Sequence, residues 1–308
     1  MTHLSLHLHP EVEKALSDNR PVVALESTLI THGFPRPDNL KIAQRIEQAV
    51  RAQGAVPATI AILAGEILVG LTAEQLEKLA SADNARKCSI RDLPLVMAQR
   101  GHGGTTVAAS MVIAHRAGIE VFVTGGIGGV HRAPPWDISA DLTELSRTPM
   151  TVVCAGMKAF LDLPATLEYL ETQAVPVLGY GVNELPAFYS RRSGLPVDMQ
   201  VDSPEAVARI IHARHKLQLR NAILVAVPVP ANAEWPADQA QAIIEQALAE
   251  AEKQNRTGKE MTPFLLDRIA ALSGGKSKQA NEALLIHNAT VGAQIAAAYC
   301  KLPFDPSG

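Results

Sequence analysis

Two apolar segments in the middle of the chain each run into glycines and are followed by groups that could do chemistry. Residues 121–132 read VFVTGGIGGVHR, and Asp137 and Asp141 come shortly after them. Residues 151–158 read TVVCAGMK. In an open α/β sheet, ligands bind in the crevice beyond the carboxyl ends of the strands. These segments therefore predict a site for a small anionic substrate, with a lysine amine, two carboxylates, a histidine and an arginine.

Lys158 is the residue in this set with the most specific chemistry. It follows an apolar strand and a glycine, and it is predicted to open the next helix. The helix dipole disfavours a cation at that end, so a merely solvated lysine is an unusual occupant. A desolvated lysine amine can form a Schiff base with a carbonyl carbon. The position alone leaves open an exposed lysine or a simple phosphate ligand.

Asp137 and Asp141 lie four residues apart in the sequence DISADL, which is typical of a helix. In a helix, this spacing places both carboxylates on one face. Mg²⁺ and Mn²⁺ commonly take one or two carboxylates from a protein and complete their shell with water. Asp137 could equally be a helix N-cap, but that role would not explain Asp141.

Residues 103–108, GGTTVA, lead into an apolar helix. Backbone N–H groups at such a junction can hold an anion, and the hydroxyls of Thr105 and Thr106 add donors. An ordinary helix N-cap is an equally good interpretation. Lys87, with Ser89 and Arg91 nearby, could bring positive charge to the same phosphate.

Glu26 stands at the carboxyl end of the apolar strand VVALEST. A carboxyl group in an apolar neighbourhood has an elevated pKa and can act as a general acid or base. The alternative is a carboxylate paired with a lysine or arginine as part of the scaffold.

Two glycine-rich segments resemble nucleotide-binding loops without meeting their requirements. Residues 125–129 fail the G-x-G-x-x-G spacing because His131 stands where the last glycine belongs, and prolines at 134–135 interrupt any following helix. This excludes a dinucleotide loop. Residues 273–277, SGGKS, have Ala270 in place of the first P-loop glycine and follow a helix instead of a strand. They are better interpreted as a helix C-cap and a turn.

Short apolar runs alternate with amphipathic segments along most of the chain, as the positioning of these groups requires. The predicted strands cover residues 21–28, 58–63, 67–70, 119–125, 150–156, 175–181 and 222–229, and the predicted helices include 39–53, 73–82, 105–117 and 159–172. Residues 64–66 predict one hairpin, and three long helices are predicted from Asp238 to about Leu302. The pattern predicts a three-layer α/β/α fold with a mostly parallel central sheet and a helical C-terminal layer, as a single domain over residues 1–308.

Composition limits the classes of function. The 308 residues are 47% hydrophobic, 4% aromatic and carry a net charge of −3, and no basic run interleaves with aromatics. A nucleic-acid partner and a membrane span are therefore not expected. Three scattered cysteines without CxxC spacing argue against disulfides and a zinc site, and favour a cytoplasmic location.

Taken together, these motifs resemble the pseudouridine-5′-phosphate glycosidase family, also described as indigoidine-synthase-A-like. The resemblance covers nearly the whole chain, and the ordered set is far more specific than any one member. It rests on residues 24–28 with 32–33, 54–61, 91–94, 105–108, 124–132, 137–142, 153–158 and 259–264.

The resemblance implies reversible cleavage of pseudouridine 5′-phosphate to uracil and ribose 5-phosphate, with one divalent metal per subunit, Mn²⁺ or else Mg²⁺, in a homotrimer. It implies that Lys158 is the Schiff-base nucleophile, Glu26 the proton donor and Asp137 the metal ligand. The substrate contacts that it implies are Lys87, the Val107 backbone, Ser139, Ala140 and Asp141, with Thr124, His131 and Asn281 facing the base or sugar.

The carbon–carbon bond of such a substrate explains why an amine is needed. Protonating an exocyclic atom, as ordinary glycosidases do, gives little help when the leaving atom is carbon. Imine formation on an opened ribose would divide the hard step into easier ones. Two other hypotheses stay open at this point: a Schiff-base lyase or aldolase on another phosphorylated sugar, and a non-catalytic phosphosugar-binding protein.

Overall fold

The computed structural model describes residues 6–132 and 136–302, so the prolines at 134–135 lie outside the described residues. The strands of the described part are β1 Leu6–Leu8, β2 Val22–Leu25, β3 Val56–Leu63, β4 Glu66–Val69, β5 Arg86–Cys88, β6 Gly103–Thr105, β7 Val121–Val123, β8 Val130–His131, β9 Thr151–Cys154, β10 Leu161–Asp162, β11 Val177–Tyr180, β12 Met199–Val201 and β13 Ile223–Ala226. The helices there are α1 Pro10–Ser17, α2 Asp38–Ala52, α3 Ala73–Ser81, α4 Leu93–Ala98, α5 Val107–Arg116, α6 Ala140–Leu145, α7 Leu163–Thr172, α8 Pro204–Lys216, α9 Ala237–Lys253, α10 Met261–Leu272 and α11 Lys276–Lys301.

The central sheet has the strand order β1-β4-β3-β2-β7-β9-β13-β11-β12, and β6 and β5 branch from β3. Every neighbouring pair from β3 to β12 along this order is parallel. The hairpin predicted at residues 64–66 is confirmed, because β3 and β4 pair antiparallel across it. All seven predicted strands occur in the sheet. Their residues are buried on both faces, which explains the near-continuous apolar runs.

The long strand β3 changes partner halfway along its length. Its first half pairs with β2, and its second half pairs with β6 where β2 has ended. Buried hydroxyls fill this junction, since Ser27 Oγ and Thr105 Oγ1 both donate to the Ile60 carbonyl, at 2.6 and 2.8 Å. The junction therefore directs Glu26, which precedes Ser27, and Thr106, which follows Thr105, towards the same space.

Helices cover the sheet, and the predicted three-layer α/β/α fold is confirmed. The helix α11 packs against β2, β7 and β9, with α2 and α8 as neighbours, while α5 packs on β2 and β3 and contacts α6. The three predicted C-terminal helices are α9, α10 and α11, and residues 273–275 are the turn between the last two, while Lys276 and Ser277 already belong to α11. That the chain forms one domain over residues 1–308 stays a prediction. No helix of the described part combines the length and apolar character needed to cross a membrane.

Gly292 sets the distance between α11 and the sheet. A Cβ atom at this position would lie 2.2 Å from Cγ2 of Val123, which is itself buried in β7. We expect Gly292→Ala to lower the unfolding free energy by about 1–3 kcal/mol through overpacking, less the roughly 1 kcal/mol that alanine gains over glycine in a helix. The thermal midpoint measures the change. In the double variant Gly292→Ala/Val123→Ala the loss should be smaller than the sum of the single losses; strict additivity would contradict this contact.

Candidate active site

One cavity of about 730 Å³ lies beyond the carboxyl ends of β2, β7 and β9. All twelve predicted site residues line it: Glu26, Lys87, Thr106, Val107, Thr124, His131, Asp137, Ser139, Ala140, Asp141, Lys158 and Asn281. They come from positions that are up to 255 residues apart in sequence, between 26 and 281, and only the fold brings them together. Their individual roles stay predictions.

Lys158 points into the cavity but does not open a helix, so that part of the prediction was wrong. The next helix, α7, begins at Leu163, after a turn and the short strand β10. The side chain of Asp162 accepts the Ala165 N–H at 3.0 Å and caps that helix instead. The turn that follows β9, rather than the start of a helix, therefore places the amine.

A backbone carbonyl holds the Lys158 amine against the glycine turn that follows β7. The Nζ atom donates to the Gly126 carbonyl at 2.6 Å. The two turns continue the sheet pairing past the strands, with Ala155 N–H to the Gly125 carbonyl at 2.9 Å and Ile127 N–H to the Gly156 carbonyl at 3.1 Å. The amine is therefore fixed by main chain on one side and faces the cavity on the other.

Glu26 is a carboxyl group of the cavity that is suited to proton transfer. The Thr124 hydroxyl donates to its Oε1 atom. Burial raises the pKa of Glu26 above its ordinary value, and the charge of Lys158 and the Thr124 hydrogen bond oppose that rise. A carboxyl group in this state exchanges protons nearer to neutral pH than an exposed glutamate does.

Asp137 and Asp141 do not share a helix face, so the predicted helical spacing was wrong. The helix α6 begins at Ala140, and Ser139 is its N-cap through a bond from Asp141 N–H to Ser139 Oγ at 3.2 Å. Asp141 instead braces two other segments: Oδ1 accepts Ala108 N–H at 3.0 Å and Oδ2 accepts Gly128 N–H at 2.9 Å. One carboxylate thus ties the start of α5 to the glycine turn.

Replacing Asp141 tests this bracing role. Asp141→Asn places an amide donor against one of the two backbone donors, so we expect a loss of about 1–3 kcal/mol in unfolding free energy, together with reduced turnover. Asp162→Asn is the matched control, because it makes the same change at the N-cap of α7, outside the cavity. Asparagine caps a helix about as well as aspartate, so this variant should lose less than about 0.5 kcal/mol and keep turnover near wild type. Equal turnover losses in the two variants would contradict the bracing role.

Asp137 offers an oxygen that is suited to a cation. Its Oδ2 atom is buried without a hydrogen-bond partner among the described residues. Groups of three or more His, Cys, Asp or Glu that could hold a metal do not occur in the part of the chain that is described. A hard divalent cation needs only one or two carboxylates if water and substrate oxygens complete its shell. Asp137 therefore fits a cation bound mostly by water and ligand.

His131 lies beside Asp137, and its backbone N–H donates to the Asp137 carbonyl at 2.9 Å. Burial lowers the pKa of the His131 imidazole, as do the charges of Lys158 and Lys87, while Asp137 opposes the change. The ring is therefore neutral at neutral pH and can both donate and accept hydrogen bonds.

The start of α5 gives the cavity a corner that suits an anion, although not in the manner predicted. Gly103 and Gly104 are paired in β6, and Thr105 is bonded to Ile60. Thr106 Oγ1, in contrast, is buried and lacks a hydrogen-bond partner among the described residues. The adjacent Val107 is the first residue of α5, where a backbone N–H has no partner within the helix.

Some residues depart from the predicted set. Arg132 does not line the cavity; its guanidinium donates to the carbonyls of Leu161 and Ala159. His32 and Phe188 do line it and were not predicted as site residues. His32 stands six residues after Glu26 and precedes a glycine, a signal that could have been used, whereas Phe188 has no comparable local signal. Burial raises the pKa of the Cys154 thiol to about 12, so this thiol stays protonated near neutral pH.

The fold and the cavity define a class: an α/β protein that places a lysine amine, a half-buried carboxyl group and anion-binding donors around one small-molecule site. The sequence model of indigoidine synthase A like proteins matches residues 11–298. The chain belongs to this family.

Similar proteins carry more specific names. A pseudouridine-5′-phosphate glycosidase from Symbiobacterium thermophilum is 54% identical, over 94% of this chain and 96% of the relative. One from Deinococcus radiodurans is 52% identical, over 97% and 96%. Among solved structures, the prealnumycin C-glycosynthase AlnA in complex with ribulose 5-phosphate is 41% identical, with a TM-score of 0.88 over 96% of this chain and 97% of that one. An indigoidine synthase A-like protein from Thermotoga maritima has a TM-score of 0.89 at 35% identity, over 98% of both chains.

Proposed function

We propose that the protein is a pseudouridine-5′-phosphate glycosidase, which reversibly cleaves the carbon–carbon glycosidic bond of pseudouridine 5′-phosphate to give uracil and ribose 5-phosphate. The observation that carries the proposal is the Lys158 amine, held at 2.6 Å from the Gly126 carbonyl and facing the same cavity as the half-buried Glu26. The names of relatives more than half identical to this chain supply the substrate.

The first half of the reaction opens the sugar ring. The Lys158 amine attacks C1′ of the ribose through its nitrogen lone pair, the C1′–O4′ bond breaks, and O4′ takes a proton from Glu26. The attached nitrogen then returns one proton to the Glu26 carboxylate. Attack by a positioned amine replaces one difficult displacement by two easier steps. The phosphate is accommodated by Lys87, Thr106 and the Val107 N–H at the start of α5.

The second half breaks the bond to the base. Glu26 protonates C5 of the uracil ring, the C1′–C5 bond breaks, and its electrons leave with the base as the lysine nitrogen forms an imine with C1′. Water adds to the imine carbon, and collapse of the adduct releases ribose 5-phosphate and the free amine. Thr124, His131 and Asn281 supply hydrogen-bonding groups for the base or sugar.

The proposal includes one divalent metal per subunit, Mn²⁺ or else Mg²⁺, held by the buried Oδ2 atom of Asp137 and by water. Such a cation would order water and substrate oxygens and stabilise negative charge. We also propose a homotrimer on the basis of the family, and a cytoplasmic location, which the three free cysteines support. Light scattering of the purified protein tests the trimer.

The test of function combines two samples. The protein is mixed with uracil, ribose 5-phosphate and Mn²⁺, and mass spectrometry searches for pseudouridine 5′-phosphate. A parallel sample is quenched with borohydride and digested to find a ribose phosphate mass on the Lys158 peptide. Product and adduct together would support the proposal. An adduct without product would favour a Schiff-base lyase or aldolase on another phosphosugar, and neither result from a folded, metal-loaded protein would favour a binding protein.

A further inference from the structure

Phe188 has an unusual backbone conformation for its residue type. Its φ is 63°, in the left-handed region that bulky side chains rarely adopt. Six other non-glycine residues of the described part have positive φ, and all six are exposed: Asn19, Ala64, Arg100, Ala174, Gln218 and Asn255. Phe188 differs from them because it is only 2% exposed. A strained residue persists only where the surrounding structure holds it, and such residues cluster at functional sites.

The contacts of Phe188 connect it to both turns that carry the Lys158 amine. Its ring covers Gly126 so closely that a Cβ atom there would lie 2.7 Å from two ring carbons. Its backbone N–H donates to the Ala155 carbonyl at 3.2 Å, in the turn that leads to Lys158. The ring also lines the cavity. The Phe188 ring therefore restricts the position of Gly126, whose carbonyl accepts the hydrogen bond of the amine.

Two further aromatic side chains support the ring from behind. Tyr189 meets Phe188 edge to face, with ring centroids 4.8 Å apart, and Trp235 follows at 5.6 Å from Tyr189. All three are buried, but only Phe188 among them lines the cavity. Phe188, at the end of this row, lies next to the Gly126 carbonyl that holds the amine. Core packing alone does not explain why a bulky residue adopts a strained conformation there.

We infer that Phe188 is a positioning residue for the Lys158 amine: its ring fixes Gly126 so that the Gly126 carbonyl presents the amine to C1′ of the bound sugar. This inference rests on the proposed function. A small displacement of a reacting group can reduce a rate about 100-fold. Loss of the ring should therefore slow imine formation more than it weakens phosphosugar binding, because the donors at the start of α5 are unchanged.

The test measures how fast borohydride traps the Lys158 peptide as its ribose 5-phosphate adduct. Phe188→Met keeps an apolar side chain of similar size without the rigid ring. We expect a trapping rate about 10- to 100-fold below wild type, with the concentration of ribose 5-phosphate for half-maximal trapping changed less than about threefold. Trp235→Leu is the matched control, since it removes a buried aromatic from the same row without touching the cavity. It should lower the thermal midpoint and leave the trapping rate unchanged.

A second variant reaches the same contact from the other side. Gly126→Ala pushes a methyl group into the Phe188 ring and should also slow trapping, so the inference can be tested even if Phe188→Met does not fold. Wild-type trapping rates in a folded Phe188→Met or Gly126→Ala protein would overturn the inference, as would equal slowing in Trp235→Leu. If the wild-type protein forms no adduct, the proposed function fails first, and the positioning role fails with it.

Discussion

Lys158→Ala is expected to reduce cleavage of pseudouridine 5′-phosphate by roughly 10⁴- to 10⁶-fold, the range seen when the nucleophile of a covalent mechanism is removed. The Lys158 amine is the nucleophile of the proposed mechanism, and water at the same place would face the intact carbon–carbon bond unaided. The amine donates one hydrogen bond, to the Gly126 carbonyl, so its loss should reduce chemistry far more than stability. Single-turnover rates and a thermal melt of the variant measure the two effects separately.

Lys158→Arg is the matched control for charge. Arginine keeps a cation and a donor for the Gly126 carbonyl, but its guanidinium does not deprotonate in proteins and so forms no imine. Turnover should be as low as in the alanine variant, and borohydride should trap no adduct. Appreciable cleavage by either variant would remove the covalent role from Lys158.

Glu26→Gln is expected to reduce turnover by about 10²- to 10⁴-fold, the usual contribution of a positioned proton carrier. Glutamine has the same shape and can still accept the hydroxyl hydrogen bond of Thr124. The Lys158 adduct should be affected less than turnover, because protonation of the base carbon is the step that most needs the acid. Comparison of the trapping rate with kcat in the same preparation measures this difference. Equal losses in both would mean that Glu26 acts before imine formation and not in protonation of the base carbon.

The same substitution makes a prediction about stability and pH. Burial raises the pKa of Glu26 in the folded protein above its ordinary value of 4.5. The folded state therefore holds this proton more tightly than the unfolded state does, so the contribution of Glu26 to stability is complete below pH 4.5 and is lost as pH rises through the folded pKa. The thermal midpoint of Glu26→Gln, relative to wild type, should rise over that interval. A difference that is independent of pH would contradict the raised pKa.

Two of the predicted site groups follow a buried strand, and this explains why local sequence places them at one edge of the sheet. Apolar runs of Val, Ile and Leu identify parallel strands, and the residue after each run must lie at the carboxyl edge of the sheet. Glu26 and Lys158 were found in this way, and both line the cavity. The family resemblance added the Val107 backbone, Thr124 and Asn281, whose distances in sequence would not have connected them.

Local interpretations failed where tertiary contacts override a local pattern. DISADL is typical of a helix from its first residue, but Ser139 caps the helix and leaves Asp137 outside it. Lys158 was expected at a helix start, yet β10 pairs with β8 and delays the helix to Leu163. In both cases a strand bridge or cap competes with helix propensity, and local sequence does not decide between them.

Residues that act through the backbone of another segment were beyond local reasoning. Asn288 is fully buried in α11 and donates to the carbonyls of Thr124 and Gly125, at 2.9 and 3.3 Å. Nothing near position 288 indicates a partner more than 160 residues earlier. The role of Phe188 likewise depends on its φ and on a glycine in another turn.

The contribution of α11 has a consequence for the time at which the site appears during synthesis. This helix brings Asn281 and Leu285 to the cavity, and its Asn288 holds the turn after β7. The ribosome adds about 5–20 residues per second, so Lys158 emerges well before the helix that completes its surroundings. A nascent chain thus carries the reactive amine for several seconds without a finished pocket for sugar phosphates. Binding and catalysis begin together, once the last long helix packs onto the sheet.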